Sequence, residues 1–361
     1  MSTRVVHLRS SAGLYGAEHM LLALCVEQQR RGQWPLLMVF ADPRQPPPAL
    51  LAAAAQRGIA VLRLPCAGAI DLKAVQLLRL QLRASGDHVV LHCHDYKSVF
   101  YGRLAAIGLR LCRVATAHGW IGESVRLRAW RALELRLLRG FDRVCAVSIS
   151  IAEQLRAAGI SATRVAQIDN GIDVQRFQMR APTPERAGLH LGTAARLSPE
   201  KNLVQLIEAL AQCRALGVDL RLTIYGEGPQ RAELQAAIER LRMREWITLP
   251  GACNDLADWY SQLDAFVLVS LSEGMPLAVI EALACGCPVL ASDTGAMPTM
   301  LAGLPGCHVV PVANYAALMA ALCALQPRAP DKRLRQRVLD RYAATRMADA
   351  YTALYHQAQA R

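Results

Sequence analysis

The chain has 361 residues and a formal net charge of +12, with 53% apolar and 19% charged residues. That length suggests two domains, and the apolar share supplies their cores and excludes wholesale disorder. Aromatic residues are 5% of the chain and no nucleic-acid-binding motif occurs, so nucleic acid is not the expected partner; no apolar run is long enough to span a bilayer.

The opening MSTRVVHLRSS lacks the apolar core of a secretory signal and runs directly into a strand, so the expected location is the cytoplasm. Eleven cysteines are scattered without paired CxxC clusters. Cys285 and Cys287 are one residue apart, which suits neither a disulfide nor a common zinc site. Reduced, small apolar side chains are the simplest reading.

Short apolar runs at 4–8, 36–40, 59–64, 88–92, 112–117 and 143–148 alternate with helical patterns at about 17–31, 48–57, 71–85, 97–108, 124–139 and 149–158. Strands separated by helices predict a parallel, doubly wound sheet, which binds ligands beyond the carboxyl ends of its strands. Gly13 and Gly16 follow the first run, just before a helix. A flexible turn there lets backbone amides approach a phosphate or an incoming sugar, although a plain strand–helix turn explains the pattern equally well. His92-Cys-His94-Asp95 ends the fourth run. Its ligand set is short and no complementary Cys/His group is obvious, so no metal is expected. His118 ends the fifth run, where a lone histidine reads as structural.

Between Lys97 and Arg143 stand ten Lys or Arg and three acids. Within this stretch Val125–Leu138 places Leu127, Trp130, Leu133, Leu137 and Leu138 at helical spacing, with Arg between them. The pattern fits a basic helix lying on an anionic membrane surface and, as well, an ordinary amphipathic helix with a solvated basic face. Asp169-Asn-Gly-Ile-Asp173 is a strong turn, and Phe177–Gly188, with two prolines and no apolar period, reads as a linker.

A second strand series lies at 190–196, 220–226, 246–251, 265–270, 288–292 and 308–311, which predicts a second doubly wound domain. Arg196 stands at the end of its first strand and Lys201 in the first turn of the next helix. In isolation two cations there read as a solvated pair; facing a shared anion they would suit the negative charge growing on a departing diphosphate. Gly226-Glu-Gly228-Pro229 ends the next strand and starts a helix at Pro229. The stretch Ser270–Met300 carries Glu273 and Glu281, with Gly274, Met275 and Pro276 between them. Pro276 suits a first helical residue, with the helix stopping at Gly286. Its start leaves free amides near Leu277 and Ala278, which favour an anion. One Glu before the helix, one inside it and amides between suit a sugar–diphosphate–ribose ligand. Lys332–Arg361 is helical in pattern.

The strings RLSPEKN, GEGP and EGMPLAVIEALACGCPV closely resemble the retaining glycosyltransferases of family 4, and the resemblance covers nearly the whole chain. It implies the GT-B fold: two Rossmann-like domains facing a cleft, with an acceptor domain at 1–178, completed by a last helix at about 343–361, and a donor domain at 179–342. The implied reaction moves a sugar from a UDP- or GDP-sugar to an acceptor hydroxyl, with retention at the anomeric carbon. In this reading Arg196, Lys201, Glu273 and His118 serve catalysis, with Glu273 on the transferred sugar and His118 reaching towards it. Glu281 binds the ribose, while Gly13, Gly16, Gly226, Gly228, Gly274, Met275, Pro276, Leu277 and Ala278 line the ligand. In this family Gly-Gly often precedes Ala-Glu, and here Tyr15 replaces the first glycine. No DxD triplet occurs, which fits an enzyme without a metal or other cofactor. A nucleotide-sugar epimerase of the same fold and a non-catalytic nucleotide-sugar-binding protein remain alternatives. A glycan or lipid-linked acceptor on the cytoplasmic face of a bacterial inner membrane completes the expectation.

Overall fold

The computed structural model describes residues 3–359 apart from 12, 69, 87, 121–124, 181–187, 254 and 328; in the helix beginning at Val125, side chains are described from Arg128 onward. Most of the expected linker therefore lies outside the described residues. The chain divides into two units: Met1–Gly171 with Ala344–Arg361, and Ile172–Ala343. The first division falls before the linker because Ile172 is held within the second unit. Its N–H donates to the Tyr342 carbonyl at 2.9 Å, and it bridges Ala343.

The first unit contains β1 (Arg4–Ser10), β2 (Trp34–Ala41), β3 (Ala60–Pro65), β4 (Val90–Cys93), β5 (Cys112–Ala117), β6 (Arg143–Ala146) and β7 (Val165–Gln167). They form one parallel sheet in the order β3-β2-β1-β4-β5-β6-β7. Burial on both faces explains why the central strands read as continuous apolar runs; all four residues of β4 and of β6 are buried. Strand β7 has three residues, too few to stand out as a run. The helix Gly16–Arg30 begins one residue earlier than expected, with Tyr15 as its N-cap and the Tyr15 N–H donating to Glu18. Asp71 and Asp95 accept first-turn amides and so start the helices Leu72–Ala84 and Tyr96–Ala105.

The helical pattern of Lys332–Arg361 is two helices, Lys332–Arg341 and Ala344–Gln359, broken where Tyr342 and Ala343 engage Ile172, and the second lies where a last helix at about 343–361 is expected. The first stays in the second unit: the Arg335 guanidinium donates to the carbonyls of Ala284, at 2.8 Å, and of Phe177. The second packs on Gly16–Arg30 and β5 and buries Tyr351, Leu354 and Tyr355 in the first unit.

The second unit contains β8 (Leu189–Ala194), β9 (Leu220–Tyr225), β10 (Ile247–Gly251), β11 (Ala265–Leu268), β12 (Val289–Ser292) and β13 (His308–Val310). Their order is β10-β9-β8-β11-β12-β13, again parallel. Leu203–Ala215 and Arg231–Arg240 bury Leu206, Ile207, Leu210 and Leu234 in one cluster with Leu191, Leu222 and Val267 from the sheet. Among the described residues no helix is long and apolar enough to cross a membrane.

Candidate active site

Strand order reverses between β1 and β4 in the first unit and between β8 and β11 in the second. At such a point neighbouring connections leave on opposite faces and open a crevice beyond the carboxyl ends of the strands. The residues singled out by sequence collect at these two places.

In the second unit Arg196 is exposed, two residues beyond β8. Lys201 is not in the first turn of the following helix. It closes a short 3-10 turn, Pro199–Lys201, after which Asn202 adopts a left-handed conformation and Leu203–Ala215 begins. This extra turn directs the Lys201 ammonium to the loop after β11, where Nζ donates to Glu273 Oε1 at 2.6 Å. Ser270 Oγ donates to the same oxygen at 2.6 Å. The pair is largely enclosed, with side chains 13% and 6% exposed. The Leu271 N–H donates to the Glu200 carbonyl at 2.7 Å, which ties the two loops together.

Gly226 and Gly228 have a structural reason to be glycine. A Cβ at Gly226 (φ +143°) would lie 1.8 Å from the Ala195 carbonyl oxygen, and one at Gly228 would lie 2.3 Å from that of Leu197. The close approach they permit is thus to the chain's own backbone on either side of Arg196. The next helix starts at Arg231 rather than Pro229. Gly295 plays a similar part under Glu273: it has φ +57°, and a Cβ there would come within 2.4 Å of the Glu273 carbonyl oxygen. The Ala296 N–H donates to the Gly274 carbonyl at 2.9 Å, fixing Gly274 and Met275 in place. Asp293, which resembles a helix cap in sequence, does not cap; Ala296 precedes Met297–Leu301.

The helix after Glu273 is Leu277–Ala284. Pro276 is its extended N-cap rather than its first helical residue, and no side chain caps it. The amides of Leu277 and Ala278 therefore sit at an uncapped, electropositive helix start. Glu281 lies one turn further in and accepts a 2.8 Å hydrogen bond from the Tyr260 hydroxyl. Burial raises its carboxyl above the usual range, while the Tyr260 hydroxyl and the Arg176 charge pull the other way. Tyr260 is buried against Phe177, Trp259 and Phe266. Ser270, Tyr260 and Arg176 carry no sequence signal for these contacts, and Gly295 reads only as the end of a strand–helix turn. Only Ser270, three residues before Glu273, lies close enough in sequence to have been found.

In the first unit Gly16 opens the helix after β1, and a Cβ at Gly13 would meet the Tyr15 ring at 2.9 Å. Arg9 Nε donates to Glu18 at 2.8 Å and its Nη1 to the His94 carbonyl at 2.8 Å, tying this loop to the end of β4. Among the described residues His118 Nε2 is enclosed without a partner, and burial, helped by Arg9, pushes the imidazole down to about 3. The histidine motif gains a member unseen in sequence: His7 joins His92 and His94 in a buried triad. His7 Nδ1 meets His94 Nε2 at 3.0 Å and its Nε2 meets Gln28 at 2.8 Å, while His92 bonds Tyr355 and Thr116. These bonds engage the ring nitrogens of His7 and His92 and Nε2 of His94 in one hydrogen-bond network; His94 Nδ1 is enclosed without a partner among the described residues.

Part of the apolar stripe of Val125–Leu138 is used in packing; the side chain of Leu127 lies outside the described residues, and Leu133 and Leu137 are half-buried. Leu138 is buried, and Trp130 packs on Tyr96 and Phe100. Arg128 and Arg136 remain exposed.

Comparison with known proteins bears on the family and the fold. The family model "Glycosyltransferase Family 4" matches residues 15–176, and "Glycosyl transferases group 1" matches 188–326. Over its length the structure resembles Anabaena Alr3699/HepE solved in complex with UDP, with a TM-score of 0.82, 19% identity and coverage of 99% and 100% of the two chains. It also resembles the sucrose-phosphate synthase of Thermosynechococcus elongatus (TM-score 0.81, 18% identity, 98% of each chain). The fold is GT-B. The chain belongs to the glycosyl transferases group 1 family. Among curated relatives it is 29% identical over 230 residues to WcaL of Salmonella typhimurium, named for colanic acid biosynthesis (61% of this chain, 57% of WcaL). It is 28% identical over 249 residues to an Escherichia coli UDP-Gal:alpha-D-GlcNAc-diphosphoundecaprenol alpha-1,3-galactosyltransferase (62% of each chain). The match spans about three fifths of the length of these relatives.

Proposed function

We propose that the protein is a retaining glycosyltransferase that moves a sugar from a UDP- or GDP-sugar to an acceptor hydroxyl. The observation that carries this reading is the assembly of Arg196, Lys201, Glu273, the Leu277–Ala284 helix start and Glu281 at the β8/β11 reversal. The bond from the anomeric carbon to the diphosphate breaks as the bond to the acceptor oxygen forms on the same face. The acceptor's proton passes to the departing phosphate oxygen. Arg196, Lys201 and the amides of Leu277 and Ala278 stabilise the charge on that phosphate, so no metal is required. Glu281 holds the ribose hydroxyls, and Glu273, fixed by Lys201 and Ser270, faces the transferred sugar. His118, neutral by burial, offers a hydrogen bond to a sugar hydroxyl.

Nucleotide release from a UDP- and GDP-sugar panel tests this. Arg196→Ala and Lys201→Ala should each abolish release, and chelator should leave it unchanged. Full activity in both variants would sink the reading. Release or epimerisation with no acceptor dependence would favour the epimerase instead. The names of the relatives support an acceptor in bacterial surface-glycan synthesis, carried on lipid, and we infer that it is met at the cytoplasmic face of the membrane. With Trp130 and Leu138 used in packing, Val125–Leu138 would contribute electrostatic attraction through Arg128 and Arg136. Co-sedimentation should then require anionic vesicles and weaken with salt; equal binding to neutral vesicles would refute it.

A further inference from the structure

Two helices of the second unit bring a pair of thiols into contact. Cys213 lies in the last turn of Leu203–Ala215, and Cys323 is the last residue of Tyr315–Cys323. The helices pack on each other and share one core cluster. The two cysteines are 110 positions apart in the chain, yet the Cys323 thiol donates to the Cys213 sulfur at 3.4 Å. Met319, one turn before Cys323, touches the same sulfur, with its Sδ 3.7 Å and its carbonyl oxygen 3.9 Å from Cys213 Sγ. A disulfide is about 2.05 Å long, so the sulfurs need to close by only about 1.4 Å. Cys323 stands at a helix end, where local movement costs least. The thiols differ in access. Cys213 is completely buried, whereas Cys323 is partly exposed. Burial and the adjoining Cys323 sulfur push the Cys213 thiol up to about 12. A buried cysteine alone is inert, but an accessible thiol touching a second one is placed to be oxidised and then resolved.

We propose that Cys213 and Cys323 are a redox-active dithiol whose oxidised form is a disulfide clamping Leu203–Ala215 to Tyr315–Cys323. The co-reactant is a small hydroperoxide. The Cys323 thiolate attacks its terminal oxygen and the O–O bond breaks. The alcohol leaves (water, from hydrogen peroxide), with Cys323 as the sulfenic acid. The Cys213 sulfur then attacks the Cys323 sulfur; the S–S bond forms, the S–O bond breaks and water leaves. Both thiol protons end in these products, and the two electrons lost by the sulfurs reduce the peroxide. A dithiol reductant reverses the change. The chemistry is independent of the transferase reading. Cys213 lies ten residues along its helix from Leu203, about 15 Å from the end beside Lys201. Because the link joins residues so distant in sequence, it constrains the unfolded second unit strongly.

The test uses the full chain, reduced, freed of reductant, treated with hydrogen peroxide and alkylated before non-reducing peptide mapping. Peptides carrying Cys213 and Cys323 should be found joined, lighter by two hydrogens, and separated again by dithiothreitol. Oxidation should raise the melting temperature of the second unit by roughly 5–10 °C, and reduction should restore it. Cys323→Ser should abolish both changes. Cys213→Ala should leave Cys323 as a sulfenic acid trapped by dimedone. Cys253→Ser removes an exposed thiol and should leave both changes intact. Overoxidised Cys323 beside a free Cys213, or Met319 sulfoxide with both thiols retained, overturns the proposal. Links through other cysteines with Cys213 and Cys323 unmodified also overturn it, as does a joined pair with an unchanged melting temperature.

Discussion

Lys201→Met isolates the Lys201–Glu273 pair. The substitution keeps most of the aliphatic stem and removes the ammonium, leaving Glu273 enclosed without its countercharge. Breaking one side of a buried pair costs about 3–5 kcal/mol. Ser270 still donates to the same carboxylate oxygen, so the lower end, about 3 kcal/mol, is expected. For a unit of this size that lowers its melting temperature by roughly 6–12 °C. Calorimetry of Lys201→Met, Glu273→Gln and the double variant reads the coupling directly. The double variant should recover about 2 kcal/mol relative to the sum of the single losses. A melting temperature for Lys201→Met within about 2 °C of wild type, or strict additivity in the cycle, would refute the reasoning and reduce the pair to a surface contact.

Acid should weaken the first unit before the second. His7, His92, His94 and His118 are all lowered by burial, with His7 at about 4 and His118 at about 3. The unfolded chain therefore binds protons below about pH 6.5 that the folded unit refuses, and stability falls as pH drops, by up to about 1.4 kcal/mol per pH unit for each histidine. Glu134, raised to about 7, acts in the opposite direction between about 7 and 4.5 and offsets one of the four. Hydrogen exchange at pH 5 and 7 should show the loss in β1, β4 and β5; equal protection at both would contradict it. Tyr260→Phe removes the hydrogen bond to Glu281 and should cost the second unit about 1.5–3 kcal/mol, read from its denaturant midpoint together with weaker UDP binding, and an unchanged midpoint would argue against a structural role for the bond. Gly226→Ala forces a Cβ into the Ala195 carbonyl and should destabilise the same unit by roughly 1–3 kcal/mol; wild-type melting would show that the turn can shift without cost.

The parallel strands were legible because burial on both faces leaves an uninterrupted apolar run, as in β4 and β11. Strand β7 was not, because three residues carry no period. Local signals also located the uncapped helix after Glu273, with its Pro and Gly punctuation. They failed at Lys201, where Pro199 begins a separate 3-10 turn and a left-handed Asn202 delays the helix. Contacts distant in sequence left no trace. Lys201 meets Glu273 from 72 residues away, and Tyr260 reaches Glu281 from a different helix. The histidine network draws on β1, β4, β5 and the last helix, so a reading of His92-Cys-His94 in isolation could not show that both His92 nitrogens and one of His94 were already bonded.

The last helix has a consequence for the order of assembly. Tyr355 bonds His92 at 2.8 Å and Tyr351 meets Thr116 at 2.9 Å, so the interior of the first unit is finished by residues 344–359. A ribosome makes the first seven strands early, yet it must add all of Ile172–Ala343 before the tyrosines emerge. At about 5–20 residues per second, the nascent first unit waits roughly ten to thirty seconds with buried histidines short of their partners. The second unit is continuous in sequence and needs no such delay. The first unit is therefore completed only after the second has been made, and until then its strands are exposed to chaperones and proteases.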